Sequence, residues 1–205
     1  MFRLIGAFAA AAFSITAAHA QTYPNRPITM VIPFAAGGPT DVLGRVVAIR
    51  MSELLGQQVV VDNRPGAGGV TATELGARAP ADGHTLLLGY IGPLAVNPSF
   101  MRLPYDPARD FVSLDLLASS YHMLVAHPAL PVRSTRELVA LARAKPGALN
   151  FASSGAGTNI HLCGELLRAA LDLDIVHVPY KGTAPAVSAV LAGEAQFLFS
   201  ALTRS

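Results

Sequence analysis

The sequence predicts an α/β fold of two lobes, because short β-branched runs alternate with helical patterns along most of the chain. Apolar runs such as Thr85 to Tyr90 are continuous rather than alternating, the pattern of strands buried on both faces of a parallel sheet. Pro128 and Pro131 interrupt the alternation and divide one set of strand–helix units, residues 22–125, from a second, residues 126–205.

In the first set, Ile28 to Pro33 reads as a strand. Val42 to Leu55 follows as a helix, with Leu43, Val46, Val47, Met51 and Leu54 at helical spacing. Gln58 to Val61 is a short strand, Thr71 to Ala79 a helix stopped by Pro80, and Thr85 to Tyr90 a strand. Turn formers fill Gly92 to Arg109, and a further strand ends at Met123 to Ala126. The second set opens on Ser134-Thr135-Arg136-Glu137, a capping box in which hydroxyl and carboxylate satisfy free amides reciprocally. That helix runs to about Lys145 and stops at Pro146-Gly147. Leu149 to Ala152, Ile175 to Val178 and Gln196 to Ser200 read as strands. Asn159 to Leu171 and Thr183 to Ala192 read as the helices between them.

Composition narrows the function. The 205 residues are 52% hydrophobic and 14% charged, enough apolar surface for packed cores and against disorder. The formal charge is +2 with no basic block, and there is no Trp, so a nucleic-acid partner is not expected. Arg3, the apolar run Leu4 to Ala18 and the small-x-small triplet Ala18-His19-Ala20 read as an export signal over residues 1–20, cut before Gln21. The run is short and Ala-rich for a bilayer span. The expected product is therefore periplasmic, with no stable membrane insertion after cleavage. The single Cys163 lies in an apolar helical pattern and reads as a small buried residue.

Three strand-to-helix junctions are candidate sites: Pro33 to Asp41, Ser153 to Thr158, and Pro179 to Thr183. In a parallel sheet they lie at the carboxyl ends of strands, where ligands bind. Small residues bring backbone amides close to a ligand, and the following helix adds free N–H groups and the positive end of its dipole, which suits an anion. Thr40 and Asp41 also read as helix caps, and His161 as a structural hydrogen-bonding residue. Enzyme signatures are missing: Ala152 and Ala156 stand where a nucleophile elbow around Ser154 needs glycine, and Ile160 replaces the third glycine of a dinucleotide loop. The histidines are too dispersed for a metal pair, so neither a metal nor another cofactor is expected.

Several segments, in order, resemble the Bug-type receptors of tripartite tricarboxylate transporters. They are Tyr23 to Ile28, Pro33-Phe34 with Gly37 to Asp41, Val61 to Gly69, Ala81 to Leu86, Leu103 to Pro107 with Asp110-Phe111, Ser153 to Gly155 with His161-Leu162, and His177 to Gly182. The resemblance implies a Venus-flytrap architecture that closes two lobes on a small organic carboxylate and delivers it to a membrane permease. It implies ligand contacts from Phe34, Ala36, Gly37, Gly38 and Asp41 on one lobe. On the other it implies Ser153, Ser154, Gly155 and Thr158, with Tyr180 lining the wall. Apolar or distal groups of the ligand are expected near Gly89 to Asn97. Members of that family are longer, returning after the last strand to complete the first lobe, so that lobe is expected to be incomplete here. A ligand-sensing module for a signalling partner and a non-functional truncated remnant are the alternative readings.

Overall fold

The computed structural model describes residues 23–202. The expected export signal lies outside them. Among the described residues no helix is long and apolar enough to cross a membrane.

The first lobe contains β1 (Ile28–Ile32), α1 (Pro39–Leu55), β2 (Val59–Asn63), α2 (Val70–Arg78) and β3 (Thr85–Leu87). Its three strands are parallel in the order β2-β1-β3, with Ile28 opposite Val59 and Met30 opposite Leu86. Ile28, Met30, Ile32, Ala48, Val59 and Leu88 form its core. Beyond β3 the chain makes a single π-helical turn, Gly92–Val96, and a short 3-10 turn, Asn97–Ser99.

The second lobe contains β4 (Tyr121–Ala126), α3 (Thr135–Ala144), β5 (Asn150–Ser153), α4 (Asn159–Leu171), β6 (Val176–Pro179), α5 (Thr183–Leu191) and β7 (Phe197–Leu202). The strand order is β4-β7-β5-β6, with β4 antiparallel to β7 and the other pairs parallel. Phe151 and Phe197, both fully buried, stack at 5.9 Å at the centre of the larger core. Burying one such ring contributes about 1.5–3 kcal/mol.

Local chemistry accounts for the helix boundaries. Ser134 Oγ accepts from the Glu137 amide at 3.2 Å, and the Glu137 carboxylate accepts from the Arg133 amide at 2.6 Å. The expected cap is thus present, its return bond falling one residue earlier than the reciprocal box requires. Thr158 caps α4, its hydroxyl accepting from the His161 amide. On α1 the buried stripe is Gly44 and Ala48, while Val46 and Leu54 of the expected apolar face are exposed. Gly44 sits against the Ile32 side chain, so absence of a side chain, not presence of an apolar one, lets this helix approach the sheet.

The lobe boundary is a correction. Residues 121–126, placed with the first lobe up to residue 125, form β4 of the second sheet, and the connection lies in residues 112–120, which hold no regular structure. Tyr121, Met123 and Val125 are the more exposed residues of β4, alternating with half-buried ones. Such alternation marks a half-buried strand.

Gly164 of α4 packs against the Phe151 ring so closely that a β-carbon there meets the ring carbons. Gly164→Ala is therefore expected to destabilise the chain by about 1–3 kcal/mol, through overpacking that outweighs the helix propensity gained. Urea unfolding checks this: the midpoint falls with the slope unchanged. An unchanged midpoint would mean that the ring moves aside.

Candidate functional site

Phe34 follows β1 and opens the loop that leads to α1. Its conformation is set by a knot of polar groups beneath it. Asp41, almost fully buried, accepts from the Gly37 amide and from Arg45 Nε, both at 2.9 Å, on one oxygen, and from Asn63 Nδ2 at 2.9 Å on the other. Asn63 Nδ2 also donates to the Phe34 carbonyl at 3.0 Å, and Arg45 donates to Asn63 Oδ1 at 3.1 Å. Burial opposes ionisation of Asp41, but the Arg45 bond, the Gly37 amide and Asn63 together hold its carboxyl below the usual range. The Asp41 carboxylate is thus turned inward to brace the loop.

The Ser153 to Thr158 loop is equally determined. Ser153 Oγ accepts from the Gly155 amide at 3.1 Å and lies 2.6 Å from His177 Nε2. Thr158 Oγ1 donates to the Gly155 carbonyl at 2.7 Å. Gly155 (φ +130°) and Gly157 (φ +76°) take backbone angles that side chains disfavour, which makes the tight turn possible. Ser153 and Thr158 are fully buried beneath the loop.

The lobes meet through backbone. The Ala35 amide donates to the Lys181 carbonyl at 3.1 Å. Gly38 faces Ala184 and Thr183 at the start of α5, and Gly37 faces the Ala184 methyl. A β-carbon on Gly68 would collide with the Ala156 carbonyl, and one on Gly155 would lie 3.0 Å from Gly68 Cα. Nearby, the Tyr90 hydroxyl donates to Asn159 Oδ1, and the Tyr90 ring stands edge-on to Phe34 at 4.8 Å. Burial pushes the Tyr90 phenol well up, so it remains a donor.

Between these contacts lies a cavity of about 270 Å³. From the first lobe it is lined by Phe34 and Gly66 to Gly69. From the second it is lined by Ser154, Gly155 and Ala156, and by Pro179, Tyr180 and Lys181. Ser154 Oγ is buried and has no hydrogen-bond partner among the described residues. Lys181 is exposed and supplies the cavity's formal charge. Three helices, α2, α4 and α5, begin within a few residues of the lining. Helix N-termini present unpaired amides and partial positive charge, so the lining favours an anion.

Of the residues expected to bind ligand, Phe34, Ser154, Gly155 and Tyr180 line this cavity. Ala36, Gly37, Gly38, Asp41, Ser153 and Thr158 do not: Gly37 and Gly38 face the start of α5, Asp41 and Ser153 brace their loops, Thr158 caps α4, and Ala36 is exposed. The Gly89 to Asn97 segment also stays outside the lining, and Ile91 in it is exposed. Sequence reasoning missed Gly66 to Gly69; Ala156 and Lys181 lie within two of the candidate junctions but were not among the residues expected to touch ligand. The Gly66-Ala67-Gly68-Gly69 run has the same strand–glycine–helix layout as the three loops chosen, and that signal was available. Asn97 was missed as well: it is fully buried against Gly157 with neither amide atom paired among the described residues.

Comparison with known proteins bears directly on this site. Residues 43–204 match the model of the tripartite tricarboxylate transporter family receptor. The chain belongs to this family. It is similar to a UPF0065 protein from the tcbD-tcbE intergenic region of Pseudomonas sp. strain P51, 43% identical over 190 residues, covering 93% of this chain and 56% of the relative. It is also similar to Protein BugT of Bordetella pertussis, 42% identical over 195 residues, covering 94% of this chain and 60% of the relative. Among solved structures, an R. palustris protein with adipate superposes with a TM-score of 0.84 at 38% identity, covering 88% of this chain and 60% of that one. MatC from Rhodopseudomonas palustris, with bound malate, gives 0.83 at 34% identity, covering 87% and 61%. The α/β periplasmic-binding-protein fold and the receptor, rather than enzyme, character of the family follow. The chain spans a little over half the length of these relatives.

Gly68→Ala is expected to hold the lobes apart, because its methyl group meets the Ala156 carbonyl across the interface. Small-angle scattering should give a larger radius of gyration than the parent's, with circular dichroism unchanged. An unchanged radius would mean that the Ala156 loop yields to the methyl.

Proposed function

We propose that this chain is a solute-binding receptor that captures a small organic carboxylate between its lobes. The observation that carries the reading is the unpartnered, buried Ser154 hydroxyl on the wall of an inter-lobe cavity that also holds Lys181. A buried hydroxyl without a partner costs about 1–3 kcal/mol, and an anionic oxygen placed there removes that cost. The cavity, about 270 Å³, is just below the roughly 300 Å³ at which pockets for drug-sized ligands begin. A short acid is its natural occupant. Phe34 and Tyr180 line the cavity and would meet the carbon chain, and Ser154, Gly155 and the Gly66 to Gly69 loop would meet the carboxylate.

In this reading Gly37, Gly38, Asp41, Ser153 and Thr158 act one step behind the ligand, fixing the loops that touch it. Ligand contacts to both lobes favour the closed form over the open one. The product is periplasmic, exported by residues 1–20, and its partner is a membrane permease of the tripartite type. Adipate and malate, named with two related structures, are the first candidates for the ligand class.

Thermal unfolding of the exported chain with a panel of short mono- and dicarboxylates tests the reading. A ligand at a hundredfold its Kd stabilises the native state by about 2.7 kcal/mol and raises the midpoint accordingly. Ser154→Ala and Lys181→Met are each expected to weaken the best acid about tenfold or more, through loss of a charge-assisted hydrogen bond and of a counter-charge. A cooperative transition that no acid shifts would sink the carboxylate reading. Absence of any cooperative transition would favour a truncated remnant.

A further inference from the structure

Behind the second-lobe loop lie two imidazoles that do not line the cavity and that the carboxylate reading does not use. His161, in the first turn of α4, and His177, on β6, lie against each other with ring centroids 4.0 Å apart and planes tilted by 32°. Phe151 packs its ring parallel to both, 4.9 Å from His177 and 6.4 Å from His161. Each imidazole holds one flank of the loop. His177 Nε2 lies 2.6 Å from Ser153 Oγ, which in turn accepts from the Gly155 amide. His161 Nδ1 accepts from the Gly157 amide at 3.2 Å.

We propose that the His161–His177 pair is a positioning device for the Ser153–Thr158 loop, that its neutral form is the ligand-accepting one, and that ligand affinity is therefore linked to proton uptake by the pair. The proposal rests on the carboxylate-receptor reading for what the loop binds, but not for how the loop is held.

The argument turns on bond direction. A backbone N–H only donates, so His161 Nδ1 must present its lone pair to Gly157. The neutral ring then carries its proton on Nε2, which faces Glu165 Oε1 at 3.7 Å. A second proton has only Nδ1 to occupy, where it would oppose the Gly157 N–H and break the contact. Gly157 sits at φ +76°, in a region that glycine enters and leaves freely, so its hydrogen bonds are what hold the loop in one conformation. Ser153 Oγ tolerates either tautomer of His177, but a second cation stacked on the first is excluded by repulsion.

The surroundings are few. α4 brings Glu165, which Arg168 grips at 2.7 Å, and Cys163. His122 of β4 approaches through Asn159, at 2.9 Å. β5 and β7 contribute no titratable side chain, and β6 only His177 itself. Glu165 draws a proton toward the pair, while burial opposes it, as do Arg168 at His161 and the neighbouring imidazole at His177. Burial prevails: both rings lie below the ordinary imidazole value of 6.5, and His177 falls to about 4. The loop-ordered form therefore holds fewer protons than a form with the loop released. Order is favoured as pH rises through the window from about 4 to 6.5 and is lost as pH falls through it.

The test uses the whole exported chain. In the ligand-free, 15N-labelled protein the Gly157 amide resonance is expected to titrate between about pH 7.5 and 4.5 together with the His161 ring signal, with a midpoint under 6.5. His161→Ala and His177→Ala are expected to weaken malate or adipate binding about tenfold at neutral pH. The double variant H161N/H177Q offers an amide oxygen or nitrogen in place of each ring nitrogen without titrating, and should recover most of that loss. Calorimetry of the parent against H161N/H177Q at about pH 7.5 and 5.0 cancels the acid's own ionisation in the ratio of Kd values. That ratio should shift about tenfold against the parent on acidification. A Gly157 amide that stays fixed while His161 titrates, or an equal acid dependence in parent and double variant, overturns the proposal. If neither acid binds at any pH, the carboxylate reading fails, and the ligand-free amide titration decides the loop-positioning claim on its own.

Discussion

Contact between bare backbones across the inter-lobe gap is the constraint on which the rest of this molecule depends. Gly68 and Gly155 approach until neither tolerates a β-carbon without a shift, and the Ala35 amide reaches the Lys181 carbonyl directly. Side chains of ordinary size at these positions would prop the lobes open and let water into the cavity. With glycine there, the gap narrows to a pocket about 270 Å³ in volume, and amides, a serine hydroxyl and one lysine converge on it. Two sets of polar contacts hold loops beside this contact in place. The Asp41–Arg45–Asn63 knot fixes one, and the Ser153–Thr158 bonds with the two histidines fix another.

This arrangement separates holding from touching. Six of the ten residues that the family resemblance put against the ligand lie outside the lining of the cavity. Asp41, Ser153 and Thr158 spend their hydrogen bonds on the loops. Asp41 is the clearest case: an ionised carboxylate beside an anion-binding cavity would repel the ligand, and three donors turned inward leave it neutralised in effect. Binding strength at such a site comes from preorganisation as much as from contact, because loops already held need no ordering when the ligand arrives.

Much of the fold was legible in the sequence because its signals are local. The α4 boundaries, Asn159–Leu171, agree with those read from the sequence, because Thr158 caps the start and the apolar pattern ends where the chain turns. Ser134 and Glu137 announce α3 for the same reason. What was not legible depends on partners distant in sequence. Nothing in Tyr121–Ala126 says that it pairs with Phe197–Leu202 rather than with the first sheet. Nothing in Gly66 to Gly69 says that the Ala156 carbonyl waits opposite. The buried stripe of α1 was misread because packing there runs through Gly44 and Ala48, which carry almost no hydrophobic signal.

That the acid's head group would be met largely by main-chain amides and a single hydroxyl has an evolutionary consequence. Substitution changes side chains but leaves peptide groups where they are, so this part of the recognition surface is insulated from most point mutation. In the proposed reading, divergence in ligand preference is confined to the few positions whose side chains line the cavity and meet the carbon chain, Phe34 and Tyr180 among them. On the same reading, a lineage built on this scaffold changes the tail of the acid it accepts by altering a handful of codons, while the preference for a carboxylate stays inherited in the backbone.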